Sequence, residues 1–93
     1  MTKADLAKAI AKKHKLTQKE AILIINVILD TITESLVEGK KVELRGFGNF
    51  YTKTRGARTA RNPKTGEKVF VPEKRIPAFK ASKALKDELV ENA

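Results

Sequence analysis

Residues 51–75 read YTKTRGARTARNPKTGEKVFVPEKR, and the turn signal near their centre decides the fold. In Asn62-Pro63-Lys64-Thr65-Gly66 the proline is preset for a central turn position and the glycine can take a positive φ. Before the turn, from Tyr51 to Ala60, small and basic residues dominate, with Lys53 and Arg55 on one strand face. After it, Val69 and Val71 alternate on the way back. Two extended limbs around one tight turn predict a long β-ribbon with its tip at Asn62 to Gly66. Ten residues at about 3.3 Å each carry that tip roughly 30 Å from the body. Gly56 is expected to mark a bulge that shifts Arg58 toward its basic neighbours. A bare two-stranded ribbon is marginal in water, so a bound ligand is the natural source of its order.

Charge points to the kind of ligand. The chain has 20 Lys and Arg against 11 Asp and Glu, a net charge of +9. Between Lys53 and Arg75 there are eight cations (Lys53, Arg55, Arg58, Arg61, Lys64, Lys68, Lys74, Arg75) and two carboxylates, Glu67 and Glu73. That segment holds +6 of the +9, so the rest of the chain is nearly balanced. Lysine on an edge strand is also ordinary protection against aggregation. Eight cations on one hairpin beside a near-neutral body exceed what that protection needs, and they favour a polyanion such as nucleic acid.

Outward from the ribbon, Val42 and Leu44 alternate with charged neighbours, and Gly46-Phe47-Gly48-Asn49-Phe50 reads as a tight turn between two strands. Thr2-Lys3-Ala4-Asp5 and Thr17-Gln18-Lys19-Glu20 fit capping boxes opening two helices. The first is expected to span about ten residues, and the second to reach Glu38 with Gly39 ending it. Ile76, Ala78 and Phe79 bring the chain back to the core, and Ser82 is a plausible N-cap for a short last helix with Leu85 and Leu89. The predicted class is α+β: two N-terminal helices, a three-stranded antiparallel sheet with a protruding ribbon arm, and a short C-terminal helix. One domain accounts for 1–93, divided into a helical dimerisation part (1–39), the sheet (40–81) with its arm (53–75), and the last helix (82–93).

The second helix carries more apolar surface than a small monomer can bury. Ala21, Ile22, Ile25, Ile28, Leu29, Ile32 and Leu36 form one broad face, while Leu23, Ile24 and Val27 fall outside it. A second copy of the chain supplies the missing cover, so a homodimer is expected. Its core would include Ile25, Ile28, Leu29, Ile32, Leu36, Phe47, Phe50 and Phe79.

Other chemistry is thin. There is no cysteine, and His14 is the single histidine, without a catalytic or metal-binding partner in the sequence. No paired carboxylates and no Gly-rich phosphate loop are present, so no enzyme, cofactor or metal is expected. The N-terminus has no long apolar core and no apolar run approaches a membrane span, which leads us to expect a soluble intracellular protein.

Three motifs together are highly specific. Gly46-Phe47-Gly48-Asn49-Phe50, Arg61-Asn62-Pro63-Lys64-Thr65-Gly66-Glu67 and Pro77-Ala78-Phe79-Lys80 resemble the HU and integration host factor family of bacterial histone-like DNA-binding proteins, HU most closely. The resemblance covers essentially the whole chain. It implies an intertwined dimer whose two arms embrace double-stranded DNA through the minor groove and bend it, in the cytoplasm at the nucleoid. It makes Pro63 a wedge between base steps, beyond its role in the turn. It gives Arg55, Arg58, Arg61 and Lys64 to sugar and phosphate, and Lys80, Lys83 and Lys86 to phosphates on the flank. Lys53, Asn62, Lys68, Lys74 and Arg75 complete the expected DNA-binding set. Ala81-Ser82 departs from the Pro-Gly common in the family at the start of the last helix.

Three readings compete with a nonspecific architectural homodimer. One is a site-preferring subunit of the host-factor kind, paired with a paralogous chain. Another is an RNA-binding module, although Tyr51 and Phe70 are the only aromatic rings on the arm. A membrane-surface role is weakest, because the charge lies on a hairpin and not on an amphipathic helix.

Overall fold

Thr2 and Thr17 start the two long helices through the same reciprocal contact. In the computed structural model, which describes residues 1–92, Thr2 Oγ1 accepts the Asp5 N–H at 3.1 Å and Asp5 Oδ2 accepts the Thr2 N–H at 3.0 Å. Thr17 and Glu20 repeat the exchange at 3.0 Å in both directions. The Thr17 backbone N–H, with a smaller contribution from its side chain, holds the Glu20 carboxyl below its ordinary value of 4.5. These caps open α1 (Lys3–His14) and α2 (Gln18–Val37). α2 closes at Gly39, whose φ of +80° is open to glycine without strain. Its N–H reaches the Leu36 carbonyl at 3.0 Å, and the Lys40 N–H reaches Ser35 at 2.9 Å, the paired bonds of a Schellman ending.

Five strands and one helix follow: β1 (Val42–Leu44), β2 (Gly48–Arg55), β3 (Arg58–Arg61), β4 (Lys68–Val71), β5 (Lys74–Ala81) and α3 (Lys83–Glu91). β1, β2 and β5 form an antiparallel sheet in that order, and β3 pairs with β4 as the arm. The expected helix 82–93 reaches one residue outside the described range.

The arm differs from expectation at its base. Arg55 pairs with Lys74, and Arg58 pairs with Val71, so each limb advances three residues between those pairs. Nothing has been inserted, and the expected bulge at Gly56 is absent. The ladder is instead interrupted over residues 56–57 and 72–73. Pro72, which has no N–H to donate, lies within the interruption, and the register is the same on both sides of it.

Ala7, Ala21 and Ile25 are the only buried hydrophobic residues among those described, joining α1 to α2 with Ile10, Ala11 and Ile22 packed around them. Such a core is too small to hold 93 residues unaided. The accessible surface is 7932 Å², where a globular chain of this mass exposes about 5,400 Å². The radius of gyration is 18.7 Å against about 12 Å for a globular domain of this length. The protruding arm and an uncovered apolar face both contribute to that excess.

Candidate nucleic-acid interface

Side chains alternate across a strand, so register sorts the cations. In the three-stranded sheet, Phe50 pairs with Val42 and with Phe79, and Thr52 with Pro77, on the side that meets α2. The outer side then receives Glu43, Asn49, Tyr51, Lys53, Arg55, Lys74, Ile76, Ala78 and Lys80. Within the separate two-stranded arm, Thr59, Arg61, Lys68 and Phe70 share one face, and carrying the alternation across the two unpaired residues of each limb aligns that face with the outer side of the sheet. Five of the expected DNA-binding cations, Lys53, Arg55, Arg61, Lys68 and Lys74, thus form one track from sheet to tip. All five are exposed.

Two cations fall on the other side. Arg58 shares its face with Ala60, Val69 and Val71. Arg75 turns toward α2, where its Nη2 donates to the Val37 carbonyl at 3.0 Å. A cation at a helix C-terminus satisfies a free carbonyl and opposes the helix dipole, so Arg75 holds the sheet to the end of α2.

The tip is built by its own backbone. The Asn62 N–H donates to Glu67 at 2.7 Å, the Gly66 N–H donates to Asn62 at 2.7 Å, and Asn62 Oδ1 accepts the Lys64 N–H at 2.9 Å. Gly66 has a φ of +74°. This closed turn leaves Pro63 and Lys64 exposed at the apex. It also occupies the Asn62 side-chain oxygen within the protein.

At the far end of the track, Ser82 does the capping that its sequence suggests. Its Oγ accepts the Leu85 N–H at 3.1 Å, and its N–H donates to Phe47 at 2.9 Å, tying α3 to the β1–β2 turn. Ala81-Ser82 therefore begins the helix without the Pro-Gly of the resembled family. Lys80, Lys83 and Lys86 are exposed around this start. A groove of about 330 Å³ lined by Lys41, Asn49, Tyr51 and Lys80 extends the outer face. Lys41, Asn49 and Tyr51 are not among the site residues read from the sequence. Their grouping depends on the register of β1, β2 and β5, which the turn signals between them do not fix.

Comparison with known proteins decides the family. The profile described as "Bacterial DNA-binding protein" matches residues 1–90. The chain belongs to the bacterial DNA-binding protein family. It is 48% identical over 87 residues to DNA-binding protein HU of Staphylococcus aureus, covering 94% of this chain and 97% of that protein. HU of Geobacillus stearothermophilus is 47% identical over the same length and shares. Among solved structures, an Anabaena HU–DNA cocrystal structure superposes with a TM-score of 0.89 at 43% identity, covering 96% of this chain and 97% of that one. HU from Thermotoga maritima gives 0.66 at 34% identity, covering 96% and 98%. No described helix is long and apolar enough to cross a membrane.

The residues expected in a dimer core divide. Ile25 is already 3% exposed within one chain and belongs to the protomer's own core. Ile28, Leu29, Phe47 and Phe79 are 42–51% exposed, and Ile32, Leu36 and Phe50 are half-buried. Phe79 packs between Phe47 and Phe50 in tilted contacts, with ring centroids 5.4 and 4.9 Å away. Gly48 makes room for this cluster, since a Cβ there would stand 2.6 Å from Phe79 and from the Lys80 carbonyl.

Proposed function

We propose that this protein is a nucleoid-associated architectural protein that binds duplex DNA as a homodimer, with little sequence preference, through the minor groove, and bends and compacts it. The observation that carries the reading is the single cationic face running from the sheet to an arm tip that presents Pro63. A two-stranded ribbon fits a DNA groove, and its cations reach phosphates, which position a protein without reading sequence. With its oxygen engaged in the turn, Asn62 is poorly placed to read base edges. Pro63 wedges between base steps and holds the bend. The arms come in pairs because the exposed apolar surface of α2 and the phenylalanine cluster pack against a second copy. The protein works in the cytoplasm at the nucleoid, and no catalytic step forms part of its action.

The test is a titration against two unrelated DNA duplexes and an RNA duplex at several salt concentrations. Equal affinity for both DNAs, steep weakening with salt and poorer RNA binding support the proposal. Strong preference for one DNA favours a site-selecting subunit, and tighter RNA binding overturns it.

A further inference from the structure

Arg75 sits at the root of the arm. It pairs with Thr54, next to the Arg55–Lys74 pair where the three-stranded sheet ends. Its Nη2 donates to the Val37 carbonyl at 3.0 Å, and that carbonyl has no other partner among the described residues. The three carbonyls before it are taken by the turn of the chain, with the N–H of Glu38 on Glu34, of Lys40 on Ser35 and of Gly39 on Leu36. A guanidinium on a helix's last free carbonyl is ordinary capping, and capping alone asks for nothing further. The place of this cap sets it apart. Among the described residues it is the only hydrogen bond joining the two long helices to the sheet. An open cleft of about 540 Å³ lies between Thr33 and Leu36 of α2 and Thr52 and Pro77 of the sheet, with Arg75 in its lining. Beyond this root, residues 56–73 make hydrogen bonds only with one another.

We infer that Arg75 is a positioning residue: through Val37 it fixes the angle at which the arm leaves the body, and thereby the bend imposed on DNA, without meeting the DNA. The inference rests on the proposed bending and names a residue that controls it. A bent duplex pushes back elastically on whatever holds it. Pro63 lies about eight residues beyond Arg55, roughly 25 Å at about 3.3 Å each, so a force at the tip acts on the root as a lever. The root must resist turning, or the arm yields and the duplex straightens. A charge-assisted bond from strand to helix end resists that turning where the cleft leaves helix and sheet apart. One hydrogen bond is worth less than the cost of bending a whole site, so its loss lessens the bend and does not abolish it.

The test compares wild type, Arg75→Met and Thr17→Ala on a duplex labelled at both ends for energy transfer, at saturating protein so that lost affinity cannot mimic a lost bend. Arg75→Met keeps an apolar stem beside the cleft and removes the donor. Thr17→Ala removes a helix cap of comparable worth and leaves the root of the arm intact. Energy transfer in the bound complex should fall for Arg75→Met and match wild type for Thr17→Ala. The slope of log Kd against log salt should change by well under the value of about 0.9 that one lost phosphate contact gives. An unchanged bend in Arg75→Met, an equal loss in Thr17→Ala, or a slope flattened by about 0.9 overturns the positioning role. A wild-type protein that binds duplex without bending it overturns the proposed function instead, a result separable from these.

Discussion

Arg75 donates to the Val37 carbonyl at the end of α2, while its neighbour Lys74 takes the opposite side of the same strand. Sequence placed both in one basic run, because a strand with charge at successive positions shows no alternation from which to read its faces. Only the pairing with β2 separates them. Arg75→Ala should therefore lower stability by about 1 kcal/mol in chemical denaturation and barely alter the salt dependence of DNA binding. Lys74→Ala should do the reverse, and equal salt effects would refute the division. The capping boxes, by contrast, were fully legible, since each is closed within four residues. Thr17 holds the Glu20 carboxyl below its ordinary value, so the folded state binds that proton less readily than the unfolded chain. The contribution of Glu20 is then full above pH 4.5 and lost as pH falls through the lowered folded value. The stability difference between wild type and Glu20→Ala should be constant near neutrality and shrink in acid. A difference that widens in acid contradicts the cap.

At the scale of elements, the arm shows where local reading stops. Asn62 to Gly66 announces the tip because proline, asparagine and glycine each suit one turn position, and the backbone bonds there follow that chemistry. The interruption at the base was misread as a bulge because Gly56 signals irregularity on one limb only. Deciding between an inserted residue and an opened ladder requires the register of the other limb, where Pro72 lies opposite the break. The groove of Lys41, Asn49, Tyr51 and Lys80 was missed for a similar reason, since its residues come from three segments of chain. Pro63 stands at the apex with its ring exposed and takes no part in the tip's hydrogen bonds. Pro63→Ala should keep most of the DNA affinity, which phosphate contacts supply, and reduce the bend measured by energy transfer between duplex ends. An unchanged bend would remove the wedge.

For the whole molecule, surface and charge tell one story. Only three buried hydrophobic side chains among the described residues, with an excess of exposed apolar surface, make the isolated protomer an incomplete folding unit. If a second copy completes it, the thermal midpoint should rise with protein concentration, as mass action requires. A midpoint independent of concentration over several decades would contradict the dimer. The +9 charge, legible from composition alone, gains meaning once register assigns five of the arm's exposed cations to one face. The most direct test of that face is the slope of log Kd against log salt for wild type and for a variant with Arg55, Arg61, Lys68 and Lys74 all changed to glutamine. The slope should flatten by about 0.9 for every phosphate that the variant no longer neutralises, equally on unrelated duplexes. An unchanged slope would mean that this face does not meet the DNA.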